Sequence, residues 1–369
     1  MAETAKGAVY KGLGQPFEIQ VFPVPDPEPG AILVKITMAT ICGSDLHMWR
    51  GDVDVAAMGA PVPAILGHEM TGKVVKLGKG VTTDSAGQPL AEGDRVVYRY
   101  FIPCGHCPAC LRGDDAACLS NLMYIAPCEP FPHFLGAYAE YYYVRPGQTI
   151  IRVPDELTDE MVAPSNCALS EVIYGLEKVS LRLGETVVIQ GAGGLGINAT
   201  AVAKEMGAQK VIVIDGIRDR LNLAESFGAD EIIDMNEFKT PDERIAKVME
   251  LTGYQGADVV AELVGTPDAV PEGLGMVGSG GRYLEIGNIG IGKMVEIDPA
   301  GSLVIGSRTI YGLVTYKANT LKKAMDFLSR TNGKYPFDKI LAKKYRLEDI
   351  NEAFEAQDRG LVSRSAIVP

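Results

Sequence analysis

Four of the chain's seven cysteines fall between residues 104 and 118, as Cys104-Gly-His-Cys107-Pro-Ala-Cys110 followed by Cys118. Four thiolates on short loops close a tetrahedron around a zinc ion, and with every position taken by protein such a site is structural. Pro103, Gly105, Pro108 and Gly113 supply the turns that gather the sulfurs. Surface thiols or a redox pair are the bland alternatives, and the density at this spacing favours metal. His106, between the cysteines, reads as an exposed loop residue rather than a ligand.

The other cysteines are Cys42, Cys128 and Cys167. In Cys42-Gly-Ser44-Asp-Leu-His47 a thiol, a hydroxyl and an imidazole crowd one turn, and Gly67-His68-Glu69 is a second short polar cluster in apolar surroundings. One Cys, one His and a further Cys would make a three-ligand zinc with an open position, the arrangement of a catalytic site. Spacing alone leaves this open, because a lone Cys or His is more often a core residue.

Gly191-Ala192-Gly193-Gly194-Leu195-Gly196 fits G-x-G-x-x-G. The pattern is weak by itself in a chain with 42 glycines, but here it follows a buried strand and opens a helix. The first glycine allows the tight turn, the second lets backbone approach a pyrophosphate, and the third packs helix on strand. Asp215 closes the next strand, where a carboxylate accepts hydrogen bonds from the adenosine ribose and repels a 2′-phosphate. That favours NAD over NADP. Arg218 and Arg220, which could reach a phosphate, point the other way.

These groups need two kinds of scaffold. Up to about residue 150 the chain reads as strands and turns, with candidates at Val9-Tyr10, Ile32 to Ala39, Gly67 to Leu77, Asp94 to Tyr100 and Tyr138 to Val144. Pro23, Pro25, Pro27 and Pro29 mark an extended spacer that cannot be a central strand. After about 158 buried strands alternate with helices: 186–190, 210–215, 231–234, 258–262 and 281–286 against 168–178, 197–206, 221–227 and 243–251. Such alternation builds a doubly wound parallel sheet. The tail, with helices near 321–328 and 347–357, no longer alternates with buried strands. Length bounds the chain at roughly two domains. With 47 acidic and 35 basic residues the net charge is −12, which argues against nucleic acid or an anionic membrane as partner. No apolar run approaches the ~18 residues of a membrane span. The first residues lack a secretory pattern, so the expected location is cytoplasmic.

The motifs Cys42-Gly-Ser-Asp-Leu-His47, Gly67-His-Glu69, Gly93-Asp-Arg-Val96, the four-cysteine lobe and the glycine loop occur in one order along the chain. Together they resemble the zinc-containing medium-chain alcohol dehydrogenase family, over nearly the whole length from Val9 to Val368. The resemblance implies an α/β protein: a Rossmann-type NAD-binding domain over 161–314 and a β-rich, GroES-like catalytic domain over 1–160 and 315–369. The structural zinc lobe would span about 103–119. By position Cys42, His68 and Cys167 match the family's catalytic zinc ligands, and Cys104, Cys107, Cys110 and Cys118 the structural ones. Ser44 and His47 match its proton relay, Asp215 the ribose-binding acid, and Leu195 the residue behind the nicotinamide. Arg364 falls where some members place a basic residue on the pyrophosphate. Glu69 reads as a carboxylate tuning the metal's field, an occasional ligand, or a buried structural acid.

The implied reaction is reversible, zinc-dependent transfer of hydride from a primary or secondary alcohol to NAD. A polyol or amino-alcohol dehydrogenase of the sorbitol or threonine type is the alternative, and Cys167 weighs mildly against it. The intact ligand set disfavours a zinc-free enoyl reductase and a non-catalytic protein on this fold. Glu171 stands where many members carry a small hydroxyl residue, and either cofactor contact or a solvated helix position is compatible with it. Segments 49–63 and 98–102 are expected to wall the substrate pocket. The stretch Leu303 to Val314 resembles a strand that pairs across a dimer in relatives, so a homodimer or homotetramer is expected. Partners are otherwise small-molecule alcohols and ketones, and Cys128 is left inert.

Overall fold

The computed structural model describes residues 3–122 and 124–369. They fall into two compact units, Met1–Ser170 with Lys317–Pro369, and Glu171–Tyr316. The first crossing comes after Ser170 rather than after 160, because the short helix Asp159–Val162 and the π-helical turn Ser165–Leu169 pack on strands of the first unit.

The first unit begins with β1 (Thr4–Tyr10), β2 (Glu18–Pro23), β3 (Ile32–Thr40), β4 (Ala64–Ile65), β5 (Glu69–Leu77), β6 (Arg95–Tyr98), β7 (Tyr141–Val144) and β8 (Ile150–Arg152). The second unit holds β9 (Thr186–Gln190), β10 (Lys210–Asp215), β11 (Glu231–Asp234), β12 (Ala257–Glu262), β13 (Val277–Glu285) and β14 (Thr309–Gly312). The chain then adds β15 (Lys343–Arg346) and β16 (Ser365–Val368) to the first unit.

In the first unit the larger sheet runs β15-β16-β3-β5-β6-β8, with β7 also on β3, beside a small β2-β1-β4 sheet. β3 and β5 are antiparallel with Thr40 opposite Glu69, and β16 lies on the other side of β3 with Ala366 opposite Thr40. That register is what places functional side chains. Residues just after β3, just before β5 and just before β16 all emerge at one end of the sheet.

The second unit is a six-stranded parallel sheet in the order β11-β10-β9-β12-β13-β14. The order reverses between β9 and β12, which makes the crevice at their carboxyl ends a topological switch point. Thr186-Val-Val-Ile-Gln and Lys210-Val-Ile-Val-Ile-Asp lack alternation because helices cover both faces of such a sheet. Val188, Ile212, Ile214, Ile233, Val260 and Tyr283 form its core, each buried side chain contributing about 1.5–3 kcal/mol.

The prolines lie in no central strand, as expected: β2 sits at a sheet edge and ends at Pro23, where a missing amide is tolerated. Two further expectations are corrected. The tail does return to strands, since β16 is buried against β3 and carries β15 on its far side. The stretch 303–314 is not one strand. Residues Ala300–Val304 form a π-helical turn, with Leu303 packed on the core, and only Thr309–Gly312 pairs as the edge strand. Among the described residues no helix is long and apolar enough to cross a membrane.

Candidate active site

β3 ends at Thr40, and two residues later Cys42 caps the helix Gly43–Arg50. Asp45, at the third position of that helix, accepts the Cys42 amide on Oδ2 at 3.0 Å, one half of a capping box. Gly51, at φ 86°, ends the helix in the left-handed conformation. His68 and Glu69 stand where β5 starts, so the β3–β5 register brings them beside Cys42. Cys167 arrives on the Ser165–Leu169 turn, which Asn166 pins: its Nδ2 donates to the carbonyls of His68 at 2.8 Å and Tyr98 at 3.0 Å.

One ligand atom from each of Cys42, His68, Glu69 and Cys167 lies within 4.8 Å of all the others. The Cys42 and Cys167 sulfurs are 3.9 Å apart. Two thiolates on a tetrahedral zinc, at Zn–S of about 2.3 Å, stand about 3.8 Å apart, so the donor set fits that ion. Asp45, fully buried, faces His68 Nδ1 at 3.3 Å and leaves Nε2 as the nitrogen available to a metal. Tyr138 O–H donates to the same Asp45 at 2.7 Å. Burial opposes a charged imidazole, but Asp45 and the Cys42 sulfur outweigh it and hold His68 well above its ordinary value. The Cys167 sulfur, with His68 and against burial, holds the Cys42 thiol well below its own. Glu69 is pushed up by burial despite the guanidinium of Arg364. It is bonded by both Arg364 and Thr40. Arg364, expected on a pyrophosphate, is itself buried and paired with this acid, because it immediately precedes β16.

Ser44 and His47 are three residues apart on the helix Gly43–Arg50, hence neighbours on its surface. Both are half-buried, and His47 Nδ1 lies 2.8 Å from Asp52 Oδ2. An aromatic group encloses His68: the ring of Tyr100 is 4.5 Å from it and that of Tyr124 5.8 Å, with Phe101 3.7 Å from Tyr100. Tyr100 O–H donates to Cys167 Sγ at 3.7 Å.

The other cluster is the lobe of Cys104, Cys107, Cys110 and Cys118, whose sulfurs also lie within 4.8 Å of one another. The Cys104 and Cys118 sulfurs are 3.6 Å apart, again the spacing of a shared tetrahedral ion. Backbone amides of Cys104 and Cys107 donate to the Cys118 and Cys104 sulfurs, each at 3.3 Å. The Cys104 amide is the main reason that the Cys118 thiol is pulled down to about 6, whereas burial pushes Cys110 up to about 12, with the neighbouring sulfurs adding to the rise. Four thiols this close cannot all ionise without a cation. His106 is exposed and donates from Nδ1 to the Cys104 carbonyl at 2.7 Å. Cys128 belongs to neither group and is buried with its thiol toward the Pro63 carbonyl at 3.5 Å.

In the second unit the helix Gly194–Glu205 starts inside the glycine loop. Gly191 has φ 94°, and a Cβ on Gly196 would lie 1.8 Å from the Gly191 carbonyl oxygen, so both positions require glycine. A Cβ at Gly193 would meet nothing within 4 Å, which leaves that backbone open to a ligand. Leu195 is half-buried on the first turn. Asp215 is buried at the end of β10 and accepts the Ala192 amide at 2.7 Å and the Ile217 amide at 2.8 Å. Arg218 is engaged by Asp234 at 2.6 Å and Glu237 at 2.8 Å, and Arg220 is half-buried on the same helix. The donors and open backbone fit a dinucleotide.

Sequence reasoning assigned no role to Asp45, Tyr138 or Asn166, and placed Tyr100 only within a segment expected to wall the pocket. Asp45 carried a usable signal, an acid three residues after Cys42 at a helix start, and Asn166 directly precedes a candidate ligand. Tyr138 reaches the site from 93 residues away, which no local pattern shows.

Residues 28–155 match the family of alcohol dehydrogenase GroES-like domains, and residues 194–330 that of zinc-binding dehydrogenases. The fold and both clusters therefore define an oxidoreductase of the dehydrogenase class. The 5-exo-hydroxycamphor dehydrogenase of Pseudomonas putida is 34% identical over 94% of this chain and 93% of its own. The L-threonine 3-dehydrogenase of Pyrococcus furiosus is 34% identical over 91% of this chain and 90% of its own. The crystal structure of an alcohol dehydrogenase from Thermotoga maritima superposes with a TM-score of 0.91 at 29% identity, covering 100% of both chains. The chain belongs to the zinc-containing medium-chain alcohol dehydrogenase family.

Proposed function

We propose that this chain is a zinc-dependent, NAD-linked alcohol dehydrogenase that reversibly oxidises a primary or secondary alcohol to an aldehyde or ketone. The observation that carries the reading is the convergence of Cys42, His68 and Cys167 on one point, with Asp45 holding the His68 ring. Cys42, His68 and Cys167 would hold a catalytic zinc, and the four-cysteine lobe a structural one. Zinc held by two thiolates and an imidazole supplies a Lewis acid that makes a bound hydroxyl easier to deprotonate.

The chain's own groups do the rest. Ser44 takes the hydroxyl proton and His47 passes it outward, with Asp52 accepting from His47 Nδ1. NAD, when bound, would supply the hydride acceptor, so that an alcohol and NAD would give a carbonyl compound, NADH and a proton. Glu69, bonded by Arg364 and Thr40, would tune the metal's field without spending a ligand position. Gly191 to Gly196 would receive the pyrophosphate, with Leu195 placed to back the nicotinamide. Asp215, already accepting the Ala192 and Ile217 amides, has lone pairs left that would accept from the ribose hydroxyls. Because Arg218 is tied to Asp234 and Glu237, little positive charge remains there for a 2′-phosphate, which supports NAD. Arg220, half-buried on the same helix, is left to the adenosine half of NAD.

The rings of Tyr100, Phe101 and Tyr124 around His68 favour an apolar alcohol, as the likeness to a hydroxycamphor dehydrogenase does. An amino-alcohol substrate is the second reading, since several relatives are L-threonine 3-dehydrogenases. The edge strand β14, with Ile305, Ile310 and Val314 exposed about it, supports a homodimer built by strand pairing. Seven free cysteines and thiolate sites suit a reducing cytoplasm. The test is NAD reduction over a panel of apolar secondary alcohols, simple primary alcohols, polyols and threonine. Turnover of apolar alcohols supports the reading, and inertness toward all alcohols refutes it.

A further inference from the structure

Glu262 and Glu285 end the adjacent parallel strands β12 and β13 and stand opposite one another in register. Glu262 is fully buried. Its Oε1 accepts the backbone amides of Val264 and Gly265, each at 2.7 Å, so it ties down the loop that leaves β12. Asn288, on the loop that leaves β13, donates from Nδ2 to Glu262 Oε2 and to Glu285 Oε1, both at 3.2 Å, and from its amide to Glu285 Oε1 at 3.0 Å. A Cβ on Gly287 would lie 2.4 Å from Glu262 Oε2 and 2.5 Å from the Gly265 nitrogen, so the two loops are closed directly over this carboxyl. Glu285 Oε2 is buried with no donor among the described residues. A proton held between the two carboxyls would satisfy it.

The place of this pair in the sheet gives it a role. The strand order reverses between β9 and β12, and each half of such a sheet takes one mononucleotide. Asp215 on β10 assigns the adenosine half to the β10–β11 side, which leaves the β12–β13 side for the nicotinamide half. We propose that Glu262 and Glu285 form a proton-sharing clasp that holds loops 263–268 and 286–292 in the shape that receives the nicotinamide half of the dinucleotide. This rests on the NAD reading above. Both glutamates are positioning residues, since they act through the loop backbones.

The clasp is sensitive to pH. Burial, and then the hydrogen bond and charge of Glu285, push Glu262 up to about 8. The facing groups are Gln190 on β9, Glu285 and Tyr283 on β13, and Glu272 on the helix Ala269–Met276, itself bound by Arg244. Across residues 263–268 and 286–292 the one charged side chain is Asp268, at the N-terminal end of the helix Ala269–Met276. Below that value the pair bears a single charge; above it two adjacent carboxylates repel and the clasp opens.

The test combines NAD titration across the neutral-to-alkaline range with amide exchange on NAD-free protein, for wild type, Glu262→Gln and Glu262→Leu. Glutamine keeps the acceptor and offers an N–H to Glu285 at every pH. Wild type should lose about tenfold in NAD affinity for each pH unit above the clasp's titration. Glu262→Gln should keep the neutral affinity and flatten that decline. Glu262→Leu should speed exchange of the Val264 and Gly265 amides at all pH values. An alkaline decline unchanged in Glu262→Gln, or unaltered exchange of those amides in Glu262→Leu, overturns the proposal. Failure of wild type to bind NAD at any pH refutes the cofactor reading instead, and the exchange arm still decides whether the clasp exists.

Discussion

Replacing Asp45 should separate metal binding from folding. Its carboxylate is fully buried, accepts the Cys42 amide and the Tyr138 hydroxyl on Oδ2, and faces His68 Nδ1 through Oδ1. Hydrogen bonds to a buried charge are worth about 1.5–3 kcal/mol each, so Asp45→Ala strands two donors and should cost about 3–6 kcal/mol of stability. That is much of the ~5–15 kcal/mol that a domain possesses. Asp45→Asn is gentler. Its amide oxygen can take the Oδ2 position and keep both bonds at neutral strength, which limits the loss to about 1–2 kcal/mol. Its NH2 group then points at His68 Nδ1 as a donor, which forces the proton onto Nε2 and removes the lone pair that a metal needs. Disturbing the partner of a metal-binding histidine costs about 10–100-fold in affinity. The assay is zinc retention against a graded chelator, with the four-cysteine lobe as internal control and urea denaturation alongside. The asparagine variant should lose one zinc early, keep the other and stay folded. Two zinc ions released as in wild type would refute the role given to Asp45.

Ser44→Ala should lower turnover by about 10²–10⁴-fold, the range for a lost proton-transfer group, while NAD titration stays near wild type. Parallel loss of NAD binding would move Ser44 out of the relay. Asp215→Ala should relax the preference for NAD over NADP, read as the ratio of kcat/KM values, and an unchanged ratio would remove the basis of the cofactor assignment. Stability should fall as pH rises from about 5 to about 8, because Glu262 keeps its proton in the folded state through the interval in which the unfolded chain has lost it. The contribution is full below the ordinary glutamate value, is lost through the raised one, and amounts to a few kcal/mol by order of magnitude. Urea midpoints for wild type and Glu262→Gln measure it, and identical pH profiles for the two would contradict it.

The strands of the second unit are readable because they are buried on both faces and so appear as unbroken apolar runs, as at Val187 to Ile189 and Val211 to Ile214. β15 is not, since Lys343-Lys-Tyr-Arg buries only Tyr345 and its pairing with β16 is the sole reason that it is a strand. The ligand types were visible as cysteines and histidines in short motifs. What organises them was not, because it depends on register. Thr40 opposite Glu69 and Ala366 opposite Thr40 bring Cys42, His68, Glu69 and Arg364 to one end of one sheet from three separate stretches of chain. Arg364 shows the limit well. Its type suggests a phosphate partner, and only the β16–β3–β5 arrangement reveals a buried carboxylate as its neighbour. Glu262 and Glu285 were likewise silent, each reading as an ordinary strand end until the parallel pairing sets them face to face.

The proposed activity needs two separate zinc centres, one open and one closed. Metal analysis of protein purified without added metal, on wild type and Cys42→Ser together, tests it most directly. Two zinc ions are expected per wild-type chain, and one in Cys42→Ser, with NADH formation from alcohols abolished and the fold retained. A single zinc in wild type, or alcohol-dependent NADH formation that survives in the one-zinc variant, would contradict it.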